Sequence, residues 1–124
     1  IGLIPDTGGT WVLPRLVGLS RAMGLALTGE PLSAEQAEQW GMIWKCVDDD
    51  ALLPTAEAMA RKFAAGPTKG LAATKRRLRA AMLNTLDAEL DAERDAMRIL
   101  GFSADYAEGV AAFTEKRPPA FTGQ

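Results

Sequence analysis

Apolar residues recur along this chain at helical spacing far more often than they alternate, so the pattern predicts a mainly α-helical polypeptide with one or two short strands. A short apolar run, Ile1 to Ile4, stops at Pro5 and leads into the turn chemistry of Pro5-Asp6-Thr7-Gly8-Gly9. A helix is expected to start at Gly8 or Gly9 and to reach about Val17, with Pro14 in its first turns or kinking it and Gly18 as its stop. Ser20 is suited to N-cap a second helix through Leu27, closed by Gly29. Ser33 caps a third over residues 34–40, and Gln36 completes a Ser-x-x-Gln capping box before Gly41 ends it. Met42 to Val47 is the internal strand candidate, terminated by Asp48-Asp49-Asp50.

Three longer helices and a shorter one complete the chain. Residues 54–65 place Ala56, Met59, Ala60 and Phe63 on one face before Gly66-Pro67 breaks the helix. Residues 68–83 align Leu71, Lys75, Leu78 and Met82, and residues 86–100 align Leu86, Leu90, Met97 and Leu100. Ser103 caps the last helix, to about Lys116, with Val110 and Phe113 expected on its inner face. Helices this short draw most of their stability from packing, and their apolar faces can cover one another, a preceding part of the protein or a neighbouring subunit.

A length of 124 residues suits one domain rather than two of ordinary size. Within it we separate residues 1–50, carrying the glycine turn and the first helices, from the helical region 51–124. The 48% hydrophobic and 24% charged content is that of a soluble globular protein. A net charge of −2 gives no support to a nucleic-acid or anionic-membrane partner. Histidine is absent, which removes His-dependent triads and His-ligated zinc from this chain, and no metal site is expected. A lone cysteine, Cys46, excludes an internal disulfide framework and fits a reducing cytosol; in its presumed strand it is expected to be buried and inert. No apolar run approaches the roughly 18 residues that a membrane span needs. The start at Ile1-Gly2-Leu3-Ile4 reads as a chain cut within a strand or loop, and Pro118 to Gln124 reads as a natural tail.

Asp6 is the residue with the clearest chemical potential. It sits between a proline and a glycine pair, just before a helix whose N-terminus favours negative charge, and glycines let a ligand approach the backbone. Asp in this setting is also a common turn residue, so a structural role competes with a chemical one. Lys69, Lys75, Arg76, Arg77 and Arg79 form a basic stretch that reads best as a solvated face balanced by the acidic residues 87–95. Trp11, Trp40 and Trp44 read as packing residues, with Trp11 near enough to Asp6 to shape a pocket. Phe113 and Lys116 lie three apart, on one helical face.

The run from Ile1 to Arg15, IGLIPDTGGTWVLPR, resembles the segment that crotonase-superfamily (enoyl-CoA hydratase/isomerase) proteins carry after their β-spiral core. The resemblance continues through Arg21–Gly29, Leu32–Ala37, Trp40–Trp44, Asn84–Asp87, Glu93–Asp95 and Ser103–Gly109, where it is nearest to the isomerases of phenylacetate breakdown. Residues 112–117 with Phe121–Gly123 are of a type shared widely in the superfamily. Each motif is weak alone, whereas their order and spacing together are specific. The resemblance implies the C-terminal helical part of a crotonase fold. Common hydratases usually have Gly where this chain has Asp6, and several isomerases and dehalogenases have a reactive Asp there.

The resemblance further implies an acyl-CoA isomerase of the cytoplasm, with Asp6 as a single base that takes and returns a proton beside a thioester held in an oxyanion hole. The implied reaction is conversion of the ring-epoxide of phenylacetyl-CoA to an oxepin, with related double-bond shifts. Gly8, Gly9 and Trp11 would border the substrate. Lys116 and Phe113 would meet the adenine and phosphate end of coenzyme A, although Phe113 also reads as a core anchor and Lys116 as plain surface. No cofactor is expected beyond the coenzyme A of the substrate, and the partners are an acyl-CoA thioester and further copies of the chain, as a trimer or dimer of trimers. Two rival expectations stand: an enoyl-CoA hydratase, and a non-catalytic helical segment serving oligomerisation.

Overall fold

The computed structural model describes residues 2–124, and among them it forms seven helices: α1 (Gly9–Val17), α2 (Leu19–Thr28), α3 (Ala34–Gln39), α4 (Asp49–Ala64), α5 (Thr68–Ala81), α6 (Leu86–Leu100) and α7 (Ala104–Glu115). Ile1, at the head of the expected apolar run, lies outside the described residues. The chain divides into two compact units, Ile1–Leu52 and Leu53–Gln124.

In the first unit α1 packs on α2, and a single residue joins them. Gly18 donates its N–H to the Pro14 carbonyl, closing α1, and accepts from the Ala22 N–H, opening α2. Its φ of 81° is open to glycine and strained for other residues. Gly18 therefore holds the N-cap position that the sequence suggested for Ser20, which lies inside α2. At α3, Ser33 Oγ accepts from the Gln36 N–H at 3.2 Å, so the Ser33 half of the expected capping box forms. The helix ends in a Schellman motif: Gly41 is left-handed, its N–H bonds Glu38, and the Met42 N–H reaches back to Ala37.

Residues 42–47 are not a strand. They form bends and irregular chain, and no strand occurs among the described residues. An extended segment needs a neighbour to take its ladder hydrogen bonds, and composition alone does not supply one. The three aspartates also act differently from the expectation, since Asp49 and Asp50 occupy the first turn of α4, where the helix dipole favours acids. α4 thus starts more than a turn before Pro54, which sits within it.

In the second unit α5 packs on α6. Thr85 caps α6 and Ser103 caps α7, each side-chain oxygen accepting a backbone N–H three residues on. The buried positions differ from the expected apolar stripes. Ala73, Glu89, Asp105 and Ala112 are buried, whereas Leu78, Met82, Leu86, Leu90 and Met97 are exposed. Phe113 is 88% exposed, so it is no core anchor within this unit, and Val110 beside it is also exposed. In the first unit Trp44 is 82% exposed, against its expected packing role, and Cys46 is half-buried in irregular chain. The buried apolar side chains are small, and an apolar stripe marks only a face that favours cover.

Glu89 joins α5 to α6. One oxygen lies 3.5 Å from Arg77 Nε, and the other accepts from Asn84 Nδ2 at 2.7 Å. This is one link between the basic stretch and the acidic residues beyond it. Asp105 anchors the tail: its carboxylate accepts the Thr122 N–H at 2.7 Å and the Gly123 N–H at 3.0 Å, and its own N–H donates to the Gln124 carbonyl. Glu108 and Arg117 form a two-pronged pair at 2.6 and 2.9 Å, and Glu108 also accepts the Ala120 N–H. The Arg117 hydrogen bonds hold the Glu108 carboxyl down at about 2.

Candidate functional site

The segment before α1 folds into a tight turn over Asp6, Thr7, Gly8 and Gly9. The Gly9 N–H donates to the Asp6 carbonyl at 2.7 Å, and the two central residues have positive φ, 52° at Thr7 and 84° at Gly8. That pair of signs belongs to a type I′ turn. Gly8 suits it without strain, and at Gly9 a Cβ would crowd the turn, lying 3.2 Å from Pro5 Cβ. Thr7 is β-branched and left-handed, a conformation costing about 1–2 kcal/mol.

The turn sets Asp6 at the mouth of α1 with its side chain in solvent. Its carboxylate does not cap the helix, because the N-cap is Gly8 and no side-chain cap bond forms. Asp6 Oδ1 accepts the Thr7 hydroxyl at 3.0 Å. Beside the turn, between α1 and α2, lies an apolar cavity of about 260 Å³ whose wall includes Pro5, Gly9, Thr10, Leu13, Met23 and Leu27. Gly9 borders it, while Asp6, Gly8 and Trp11 do not. Trp11 is engaged on its ring face by Arg15, whose guanidinium carbon lies 3.9 Å from the ring centroid while Nη1 donates to the Trp11 carbonyl.

The other two candidates belong to the second unit. Lys116 is exposed and ends α7 in a left-handed conformation, φ 54°. The Lys116 N–H meets the Phe113 carbonyl and the Arg117 N–H the Ala112 carbonyl, so this is a Schellman motif like that at Gly41, with lysine where glycine is usual. Phe113 borders an apolar cavity of about 500 Å³ whose wall also includes Met97, Tyr106, Val110 and Phe121. Lys116→Gly is expected to raise stability by about 0.5–1 kcal/mol, the left-handed penalty less the entropy glycine adds to the unfolded chain. Thermal melts check this, and a variant no more stable than its parent would show that the left-handed lysine costs nothing.

Burial, reinforced by nearby Glu35, Glu38, Asp48 and Asp49, pushes the Cys46 thiol up. Sequence reasoning missed the Asp6–Thr7 hydrogen bond and the strain at Thr7; the adjacency of a hydroxyl residue and a glycine pair was the available signal.

The profile of the family described as Enoyl-CoA hydratase/isomerase matches residues 1–124. The 1,2-epoxyphenylacetyl-CoA isomerase of Escherichia coli K12 is 59% identical over all of this chain and 47% of its own. A "Probable enoyl-CoA hydratase" of Rhodobacter capsulatus is 49% identical over the whole chain and 48% of its own length. The crystal structure of enoyl-CoA hydratase from Bacillus anthracis superposes with a TM-score of 0.92 at 32% identity, covering 99% of this chain and 48% of that one. The chain spans about half the length of the relatives it matches.

Proposed function

The chain belongs to the enoyl-CoA hydratase/isomerase family, and from that membership we propose that it supplies the base of an acyl-CoA isomerase acting on the ring-epoxide of phenylacetyl-CoA and shifting double bonds in related thioesters. The observation that carries this reading is the Asp6 carboxylate, raised on a strained turn at a helix mouth and left unspent by capping. A thioester acidifies the carbon next to its carbonyl. In the double-bond shifts, Asp6 would take a proton from the carbon skeleton, the C–H electron pair would delocalise toward the thioester oxygen, and the resulting acid would return the proton at another carbon. No atom is gained or lost, so the product is an isomer. Donors to the thioester oxygen would come from the rest of the protein. The relative that is 59% identical is named as an isomerase, and that favours isomerisation over hydration.

The second non-glycine residue with positive φ is Lys116, and the same reading gives it the phosphate end of coenzyme A, with Phe113 beside the adenine. The exposed apolar faces of α5 to α7 would pack against further copies of the chain or the remainder of its own subunit, in the cytoplasm. No helix of the described residues is long and apolar enough to cross a membrane.

The full-length protein should convert the epoxide thioester to its ring-expanded isomer and leave a short 2-enoyl-CoA unhydrated, both monitored by liquid chromatography of the thioesters. Hydration of the enoyl thioester at a comparable kcat/KM would overturn this reading in favour of a hydratase.

A further inference from the structure

We infer that Thr7 is a positioning residue for Asp6: its hydroxyl holds one carboxylate oxygen so that the other is the one presented to the substrate carbon. This rests on the reading of Asp6 as the base. Three observations carry it. The Thr7 Oγ1 donates to Asp6 Oδ1 at 3.0 Å, and Oδ2 has no hydrogen-bond partner among the described residues. Thr7 stands at φ 52°, where a β-branched residue is strained and glycine is not. The neighbouring Gly8 and Gly9 each answer a backbone requirement of the turn, the positive φ and the close approach of Pro5, whereas nothing in the backbone calls for threonine between them and Asp6.

An exposed aspartate that no other side chain holds rotates freely about both of its side-chain bonds. Proton transfer from carbon requires the accepting oxygen to sit in line with the C–H bond, and each misdirected rotamer subtracts from the productive population. The strained conformation and the hydrogen bond to Asp6 occur together at Thr7. The hydroxyl donates throughout and takes no part in the proton balance: Oδ2 receives the proton and Oδ2 returns it.

Steady-state kinetics of the full-length protein on its isomerisation substrate test this with Thr7→Val, which keeps the branching and loses the donor, and Thr7→Ser, which keeps the donor. Thr7→Val should lower kcat about fivefold to tenfold with KM within twofold of the parent. Thr7→Ser should restore kcat to within twofold. In an Asp6→Asn background, Thr7→Val should change the residual rate no further. If Thr7→Val leaves kcat intact while Asp6→Asn abolishes turnover, Thr7 has no positioning role and Asp6 keeps its own. An equal loss from Thr7→Val with and without Asp6 makes Thr7 structural and overturns the inference. Full turnover by Asp6→Asn overturns both the base and its positioning.

Discussion

Asp6→Asn in the full-length protein should lower isomerase turnover by a factor on the order of 10²–10⁴, the range a single positioned acid–base group supplies. Asparagine fills nearly the same volume and still tolerates the turn, whose hydrogen bond uses the Asp6 carbonyl and not its side chain. The fold and the affinity for the thioester should therefore survive. Because the carboxylate does not cap α1, the substitution removes no helix-terminal bond, and the melting temperature should move by no more than a degree or two. That separation is what makes the variant informative. Isothermal titration with a non-isomerisable thioester, next to a rate measurement, reads binding and chemistry apart. Undiminished turnover would leave Asp6 as a turn residue and nothing more.

Asp105→Ala should have the largest effect on stability, about 3 kcal/mol, since two backbone N–H groups lose a charged acceptor and the first turn of α7 loses its acid. Asp105 is 4% exposed, so little water is at hand to replace those bonds. The change should register locally as loss of protection at the amides of Thr122 and Gly123 in hydrogen exchange. Asp105→Asn should cost less, because its amide oxygen can still accept one of the two donors. Unchanged protection at both amides in Asp105→Ala would show that the tail is held by something other than this carboxylate.

Much of the helical order was legible because its signals are local. Gly18, Gly29, Gly41, Ser33 and Ser103 stand at helix ends in the structure, and α6 occupies the span its apolar periodicity marked. Two kinds of information were out of reach. The segment 42–47 has strand composition, but a strand is a relation between segments, and no partner lies in the described residues. The inner faces failed for a related reason. Leu78, Met97 and Phe113 have the spacing of buried residues, yet nothing among the described residues covers them, and the relatives this chain matches run to about twice its length. At the candidate site, the turn and its glycines could be read from residue types. The left-handed Thr7 and its hold on Asp6 could not, because several turn types accept these residues and none demands a left-handed threonine.

The buried apolar positions of these units are Val17 and four alanines, Ala22, Ala37, Ala73 and Ala112. Truncation mutagenesis to alanine would pass over four of those five sites unchanged and would report instead on leucines and phenylalanines that touch little here. A library built by enlargement, with valine or leucine at the four alanines, would press on whatever covers each of them and expose which positions the architecture cannot enlarge.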